Sequence, residues 1–154
     1  QITVANRTAD RARPLAERKR IQMRIEPLPE VTLTGDRELM EYAFYNLLNN
    51  AIKYSPAETL VTVGGDADKH RVRLSVRDQG IGMDEKELRQ IFKKFYRTKR
   101  AEASGESGTG IGLSIVEQII SHHGGTIEVD SAPGKGSCFT LLLPIAAGSA
   151  AARN

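Results

Sequence analysis

The chain of 154 residues contains one cysteine and no tryptophan. A single cysteine excludes an internal disulfide framework and is typical of a reducing compartment, so we expect a cytoplasmic location. No apolar run reaches the roughly 18 residues that a membrane-spanning helix needs, and no signal peptide is visible. We therefore expect no membrane contact by this chain. It begins at Gln1 rather than methionine, which suggests a piece of a longer protein that could itself be membrane-anchored.

Aromatic residues are also scarce, at 5% of the chain, and neither sign of charge dominates. The hydrophobic content of 40% is therefore mainly aliphatic and suits one compact domain with a single core. We assign residues 1–145 to this domain and expect 146–154 to be a disordered tail.

The net charge is +3 and residues 97–100 are basic. Because both signs of charge are interspersed, as on a solvated surface, we expect no direct nucleic-acid partner.

Hydrophobic spacing and capping residues predict four helices. These helices cover residues 3–20, 37–54, 85–95 and 111–123. The first should be kinked or interrupted near Pro14, and the second should begin after Asp36 as its N-cap. Asp84 and Glu87 resemble a capping box for the third helix, and Gly124 should end the fourth.

Alternation of apolar and polar residues predicts six short strands. They cover residues 22–26, 31–34, 60–64, 71–77, 126–130 and 137–143. The first two could pair as a hairpin, because two prolines between them enforce a turn. A single mixed sheet, covered on one face by about three helices and polar on the other, is the most economical α/β architecture.

Two asparagines stand one helical turn apart in the most strongly patterned helix. At about 100° per residue, Asn46, Asn50 and Lys53 fall within an arc of roughly 60° at the edge of the apolar stripe, where they can face a cleft. The amide oxygen of Asn50 suits Mg²⁺, which takes few protein ligands together with phosphate oxygens, and Asn46 can assist. Lys53 can neutralise a triphosphate.

Asp78 follows a predicted strand and precedes two glycines. A buried carboxylate can accept from the exocyclic amine of adenine, whereas guanine would present an acceptor at a cost of about 1–3 kcal/mol. Gly80 and Gly82 let the chain bend sharply and approach a ligand closely. Taken alone, Asp78 is more typical of a turn at the end of a strand than of a base contact.

Gly108, Gly110 and Gly112 precede the last predicted helix. Backbone N–H groups exposed before a helix N-terminus favour phosphate, although such a triplet alone also describes a flexible loop. Residues 96–108 lack periodicity and are typical of a lid. The basic run 97–100 would neutralise the triphosphate from the lid side, while a solvated surface remains an alternative for its last two residues.

In this order the motifs resemble the boxes of the catalytic, ATP-binding domain of sensor histidine kinases, in the larger group that includes gyrase, Hsp90 and MutL. The resemblance extends over residues 3–144. The matching segments are the N box at 46–55, the first glycine box at 78–82, the F box at 91–97, the second glycine box at 108–113 and the closing hairpin at 134–144.

The resemblance implies a two-layer α/β sandwich of the Bergerat type, with a mixed, mostly antiparallel sheet of about five strands. It implies ATP and Mg²⁺ as cofactors, with Asn50 as the metal ligand and Asp78 as the adenine contact. It further implies pocket walls at Tyr54, Ile91 and Leu113 and lid-side contacts at Tyr96 and Arg97.

Relatives that hydrolyse ATP, such as gyrase and Hsp90, have a glutamate where this chain has Asn46. An asparagine cannot take a proton from water, so the resemblance implies transfer of the γ-phosphoryl group to an external acceptor. That acceptor would be a histidine on a dimerisation module, followed by an aspartate of a response regulator. Because His70, His122 and His123 lack the surroundings of the family's phosphorylated histidine, we expect the module outside this sequence and the isolated domain to be an inactive monomer.

Three alternatives remain open from the sequence. An ATP-driven hydrolase or clamp is disfavoured by Asn46. A serine kinase resembling anti-sigma factors would lack a phosphoacceptor module in its full gene. A degenerate domain that senses nucleotide or a partner without transferring phosphate is disfavoured by the intact boxes.

Overall fold

A computed structural model describes residues 4–93, 96–97 and 112–145. Within these ranges the helices are α1 (Val4–Arg18), α2 (Arg37–Lys53), α3 (Glu85–Leu88) and α4 (Gly112–His122). The strands are β1 (Gln22–Ile25), β2 (Leu60–Ala67), β3 (Arg71–Arg77), β4 (Thr126–Ser131) and β5 (Ser137–Pro144). The predicted tail and most of the predicted lid lie outside the described residues.

The five strands form one sheet in the order β1-β2-β3-β5-β4. β1 pairs with β2 in parallel, and the other three pairs are antiparallel. Val72 and Val76 of β3 stand opposite Leu143 and Phe139 of β5 and are buried with them. Since side chains alternate along a strand, the intervening residues of β3 face the other side, where Arg73 donates to Asp66 at 3.0 Å. The predicted α/β sandwich is confirmed.

Local capping explains where the helices begin and end. The Asp36 carboxylate accepts from the Leu39 N–H at 3.1 Å and starts α2, as predicted. The predicted capping box starts α3, which ends at Leu88 and is therefore shorter than expected. Gly124 has φ +77°, and its N–H donates to Ser121 O in the hydrogen-bond pattern that closes α4.

α1 continues through Pro14, so the predicted alternative of an interruption is wrong. A proline in a helix interior removes one hydrogen bond and costs about 3 kcal/mol. The helix carries a stripe of buried alanines that packs toward α2 and the core. The alanines of this stripe are Ala5, Ala9, Ala12 and Ala16. We infer that this packing offsets the local cost of the proline.

The predicted hairpin between residues 22–26 and 31–34 is wrong. Residues 26–36 contain no strand, and β1 pairs with β2 instead. Val31 and Leu33 pack against the core without joining a ladder, so their alternation reflects one-sided burial alone. Among the described residues, no helix combines the length and the apolar composition needed to cross a membrane.

Candidate functional site

Asp78 lies directly after β3, at the end of the sheet where β5 begins. Its Oδ1 accepts from the N–H of Gly80 at 2.8 Å and from the N–H of Ser137 at 3.1 Å. Burial raises the pKa of Asp78, and the two N–H bonds oppose that rise. Both bonds go to Oδ1, and within the described ranges none goes to Oδ2, so the second oxygen is left as an acceptor.

The loop after Asp78 closes against the end of α2. The N–H of Ile81 donates to the carbonyl oxygen of Tyr54 at 3.3 Å. A Cβ on Gly80 would lie 2.5 Å from that same oxygen. Because real Cβ atoms do not approach so closely, the absence of a side chain at Gly80 is what allows the loop to bring Asp78 beside α2.

Gly82 is a second position at which the loop requires glycine. It has φ +68°, and a Cβ there would lie 1.9 Å from the carbonyl oxygen of Ala132. We expect Gly82→Ala to lower the free energy of unfolding by more than 2 kcal/mol, because left-handed strain of about 1–2 kcal/mol adds to a backbone clash. Denaturant unfolding measures this change.

Gly134 supplies the matched control for that prediction. Its φ of +74° is nearly the same, but a Cβ there would meet nothing within 4 Å. Gly134→Ala should therefore cost only the conformational part, about 1–2 kcal/mol. Equal losses of stability in the two variants would contradict the close approach of Gly82 to Ala132.

Asn46 of α2 lies beside the start of α4. The Asn46 amide donates to Tyr42 O at 2.9 Å, and its Oδ1 would lie 3.3 Å from a Cβ on Gly112. The side-chain oxygen of Asn46 therefore lies beside Gly112, the first residue of α4. The Asn50 side chain, one turn later, is half-buried and makes no hydrogen bond to the described residues.

The predicted wall residues differ in burial. Ile91 is buried, and Leu113 and Tyr96 pack partly buried against the same core. The ammonium group of Lys53 lies 5.9 Å from the centre of the Tyr54 ring, at the end of α2. Arg97 is half-buried, whereas Gly108 and Gly110 lie outside the described residues. Direct contacts thus join Asp78, Gly80 and Tyr54 in one group and Asn46 with Gly112 in another.

The hairpin between β4 and β5 also belongs to this site, although the sequence assigned it no role there. Gly136 has φ +77°, and a Cβ there would lie 2.1 Å from Asp78 O. The N–H of Gly134 donates to Ile81 O at 2.8 Å. The glycines of the closing hairpin were visible in the sequence, but nothing there indicated contact with Asp78.

A cavity of about 340 Å³ lies elsewhere, beneath residues 28–37. Its walls include Val72, Leu143 and Pro144, at the end of the sheet opposite Asp78. Its size falls within the range of small-molecule pockets. None of the predicted site residues lines it, so the cavity takes no part in the site around Asp78.

The chain is similar to known proteins in both sequence and structure. Residues 35–147 match the family model described as histidine kinase-, DNA gyrase B-, and HSP90-like ATPase. The sensor-like histidine kinase SenX3 of Mycobacterium tuberculosis is 34% identical over 142 residues, which cover 92% of this chain and 35% of that protein. This chain therefore spans about a third of the length of such curated relatives.

Two solved structures extend the likeness to three dimensions. The mycobacterial sensor histidine kinase MprB superposes with a TM-score of 0.79 at 31% identity and covers 92% of both chains. Full-length ShkA in complex with AMPPNP superposes with a TM-score of 0.82 at 29% identity, over 96% of this chain and 30% of that one.

Proposed function

We propose that this chain, which belongs to the histidine kinase-, DNA gyrase B- and HSP90-like ATPase family and within it to the sensor histidine kinases, binds Mg-ATP and transfers the γ-phosphoryl group to a histidine. The family predicted from the motif order is confirmed. The acceptor histidine belongs to a dimerisation module outside this sequence, and a response regulator receives the phosphoryl group next. The chain is cytoplasmic, and the isolated domain is a monomer that is inactive without its phosphoacceptor module.

The orientation of Asp78 is the single observation that carries this proposal. Its Oδ1 is occupied by two backbone N–H groups, and its Oδ2 is left as an acceptor. An acceptor held in this way matches the exocyclic amine of adenine and opposes the carbonyl of guanine. The residue therefore selects ATP over GTP.

The donor set around Asn46 and Asn50 fits Mg²⁺ that arrives with the nucleotide. Within the described ranges, no cluster of three or more His, Cys, Asp or Glu side chains could hold a metal ion. Amide oxygens are neutral and few, as expected when phosphate oxygens and water complete the coordination. Asn50 would hold the ion, with Asn46 beside it, and the bound ion would neutralise phosphate charge during transfer. Lys53 and Arg97 supply further positive charge.

Asn46 also explains why transfer is favoured over hydrolysis. Its amide donates to Tyr42 O and has no basic lone pair to activate water. Catalysis then depends on positioning and charge neutralisation, and it waits for the correct acceptor. His123 has a structural role in this chain and is not a candidate acceptor, because its Nε2 accepts a hydrogen bond from the Asp36 N–H at 3.0 Å.

Phosphotransfer in trans tests this function. The domain is mixed with γ-labelled ATP, Mg²⁺ and a histidine-bearing helical hairpin taken from its parent protein. We expect label on the hairpin, bound as acid-labile phosphohistidine, and little phosphate release when the hairpin is omitted. Rapid phosphate release by the domain alone would indicate a hydrolase, and acid-stable label on serine would indicate a serine kinase.

The pH dependence of nucleotide binding follows from Asp78. Burial holds its pKa above the ordinary value of 3.8, and only the ionised carboxylate offers acceptors on both oxygens. The affinity for ATP should therefore fall as the pH decreases, beginning above the range in which an ordinary aspartate titrates. The stability of the nucleotide-free domain changes in the opposite direction. Its free energy of unfolding should rise as the pH falls through the folded-state pKa of Asp78, because the cost of the buried charge disappears.

Calorimetric titrations across the acidic range check this expectation. Asp78→Asn is the control, since both proteins experience the same titration of the nucleotide itself. The wild type should show an additional loss of affinity at low pH that the variant lacks. Identical pH profiles would contradict a role for the ionised carboxylate.

A further inference from the structure

The Ser131 hydroxyl joins the closing hairpin to the loop that follows Asp78. Its Oγ donates to Gly136 O at 2.9 Å and accepts from the Met83 N–H at 2.9 Å. It also lies 2.7 Å from the Ser137 hydroxyl. A hydroxyl carries one proton, so with that proton given to Gly136 the Ser137 hydroxyl is the donor of the third bond. Through one oxygen, Ser131 therefore joins the start of β5 to Met83 at the far end of the loop after Asp78.

The same hairpin also holds Asp78. Ser131 and Ser137 stand opposite each other as the last pair of the β4–β5 ladder. The N–H of Ser137 donates to Asp78 Oδ1, and the carbonyl of Ser137 accepts from the Asp78 N–H at 2.8 Å. By strand alternation, Ser131, Ser137 and Asp78 all lie on the helix-covered side of the sheet, at one end.

We propose that Ser131 is a positioning residue that fixes the orientation of the Asp78 carboxylate toward the purine. Ser131 does not contact Asp78 directly. It bonds to Ser137, which in turn bonds to Asp78, and to Met83 at the far end of the loop that follows Asp78. This inference rests on the proposed function, since it deepens the role of Asp78 in base recognition.

Loss of the Ser131 hydroxyl would have a selective effect. Gly136 O, the Met83 N–H and the Ser137 hydroxyl would each lose one partner. The loop would stay attached through Ile81, which bonds to both Tyr54 and Gly134. The Asp78 carboxylate would then sample several orientations, and the contact to the adenine amine would weaken while phosphate binding persists.

The test measures base selectivity. Calorimetry gives the dissociation constants of AMPPNP and of the matching purine riboside triphosphate analogue that lacks the exocyclic amine. We expect the wild type to prefer AMPPNP and Ser131→Ala to reduce that preference by about 5- to 10-fold. The affinity of Ser131→Ala for the analogue without the amine should change less than about twofold, because only the amine contact depends on the orientation of Asp78.

Two variants with larger side chains separate the effect of the hydroxyl group from the effect of side-chain volume. Ser131→Thr keeps the hydroxyl group, and Ser131→Val introduces a side chain of nearly the same volume as threonine but without a hydroxyl group. We expect Thr to retain the preference and Val to lose it, with similar melting temperatures for both. If all three variants lowered both affinities equally, in parallel with their melting temperatures, the role would be structural and the inference would be overturned.

The proposed function and this inference fail in different ways. A wild-type protein without any preference for the amine-bearing nucleotide would contradict the assignment of Asp78, and the inference with it. A wild-type preference that Asp78→Asn abolishes but Ser131→Ala and Ser131→Val preserve would overturn the role of Ser131 alone.

Discussion

Replacing Asp78 by asparagine should weaken ATP binding about 10- to 100-fold at neutral pH. The asparagine Oδ1 can still accept from the N–H groups of Gly80 and Ser137, but an NH₂ group then replaces Oδ2. A donor would face the adenine amine, and an unsatisfied buried pair costs about 1–3 kcal/mol. Calorimetry with AMPPNP measures the loss.

The fold should survive this substitution. Burial raises the pKa of Asp78, so its ionised form is costly in the folded protein at neutral pH. Asp78→Asn removes that charge, keeps the two N–H bonds and should leave the melting temperature unchanged or higher. Equal ATP affinity of the variant and the wild type would contradict the adenine assignment. A parallel collapse of affinity and stability would mean that Asp78 is needed mainly for the fold.

Asn50→Ala should abolish most of the magnesium dependence of nucleotide binding. The Asn50 side chain makes no hydrogen bond to the described residues and stands one turn from Asn46, whose Oδ1 lies beside Gly112. An amide oxygen that coordinates Mg²⁺ stabilises only the metal-bound nucleotide. We expect the gain in AMPPNP affinity on adding Mg²⁺ to fall at least about tenfold, and phosphotransfer to fall with it.

Asn49 provides the matched control, since the same change is made one residue earlier, about 100° away around α2. Asn49→Ala should leave the magnesium dependence close to that of the wild type. Should Asn50→Ala retain the full dependence, Asn50 would lose its assigned role. Should both variants lose it equally, the effect would belong to the helix and not to one amide.

Features that depend on neighbours in the sequence were predictable. The N-cap Asp36, the capping box at Asp84 and the glycine that ends α4 each act within one helical turn. The site motifs were equally visible, because Gly80 and Gly82 follow Asp78 directly in the sequence. Their assignment to adenine, phosphate and Mg²⁺ stays a prediction that the experiments above address.

Features that depend on distant partners were not predictable in the same way. Alternation of apolar and polar residues at 31–34 suggested a strand that could pair with residues 22–26, but β1 pairs with β2 instead. Pro14 suggested an interruption that tertiary packing of α1 overrides. Ser131 gave no signal at all, because its partners Met83 and Gly136 come together only when the closing hairpin reaches the loop after Asp78.

The most direct test of the central claim is a crystal structure of this domain with AMPPNP and Mg²⁺. We expect the adenine amine within about 2.7–3.2 Å of Asp78 Oδ2, with the triphosphate between Asn50 and the start of α4. A base placed away from Asp78, for example in the 340 Å³ cavity beside Val72 and Leu143, would contradict it.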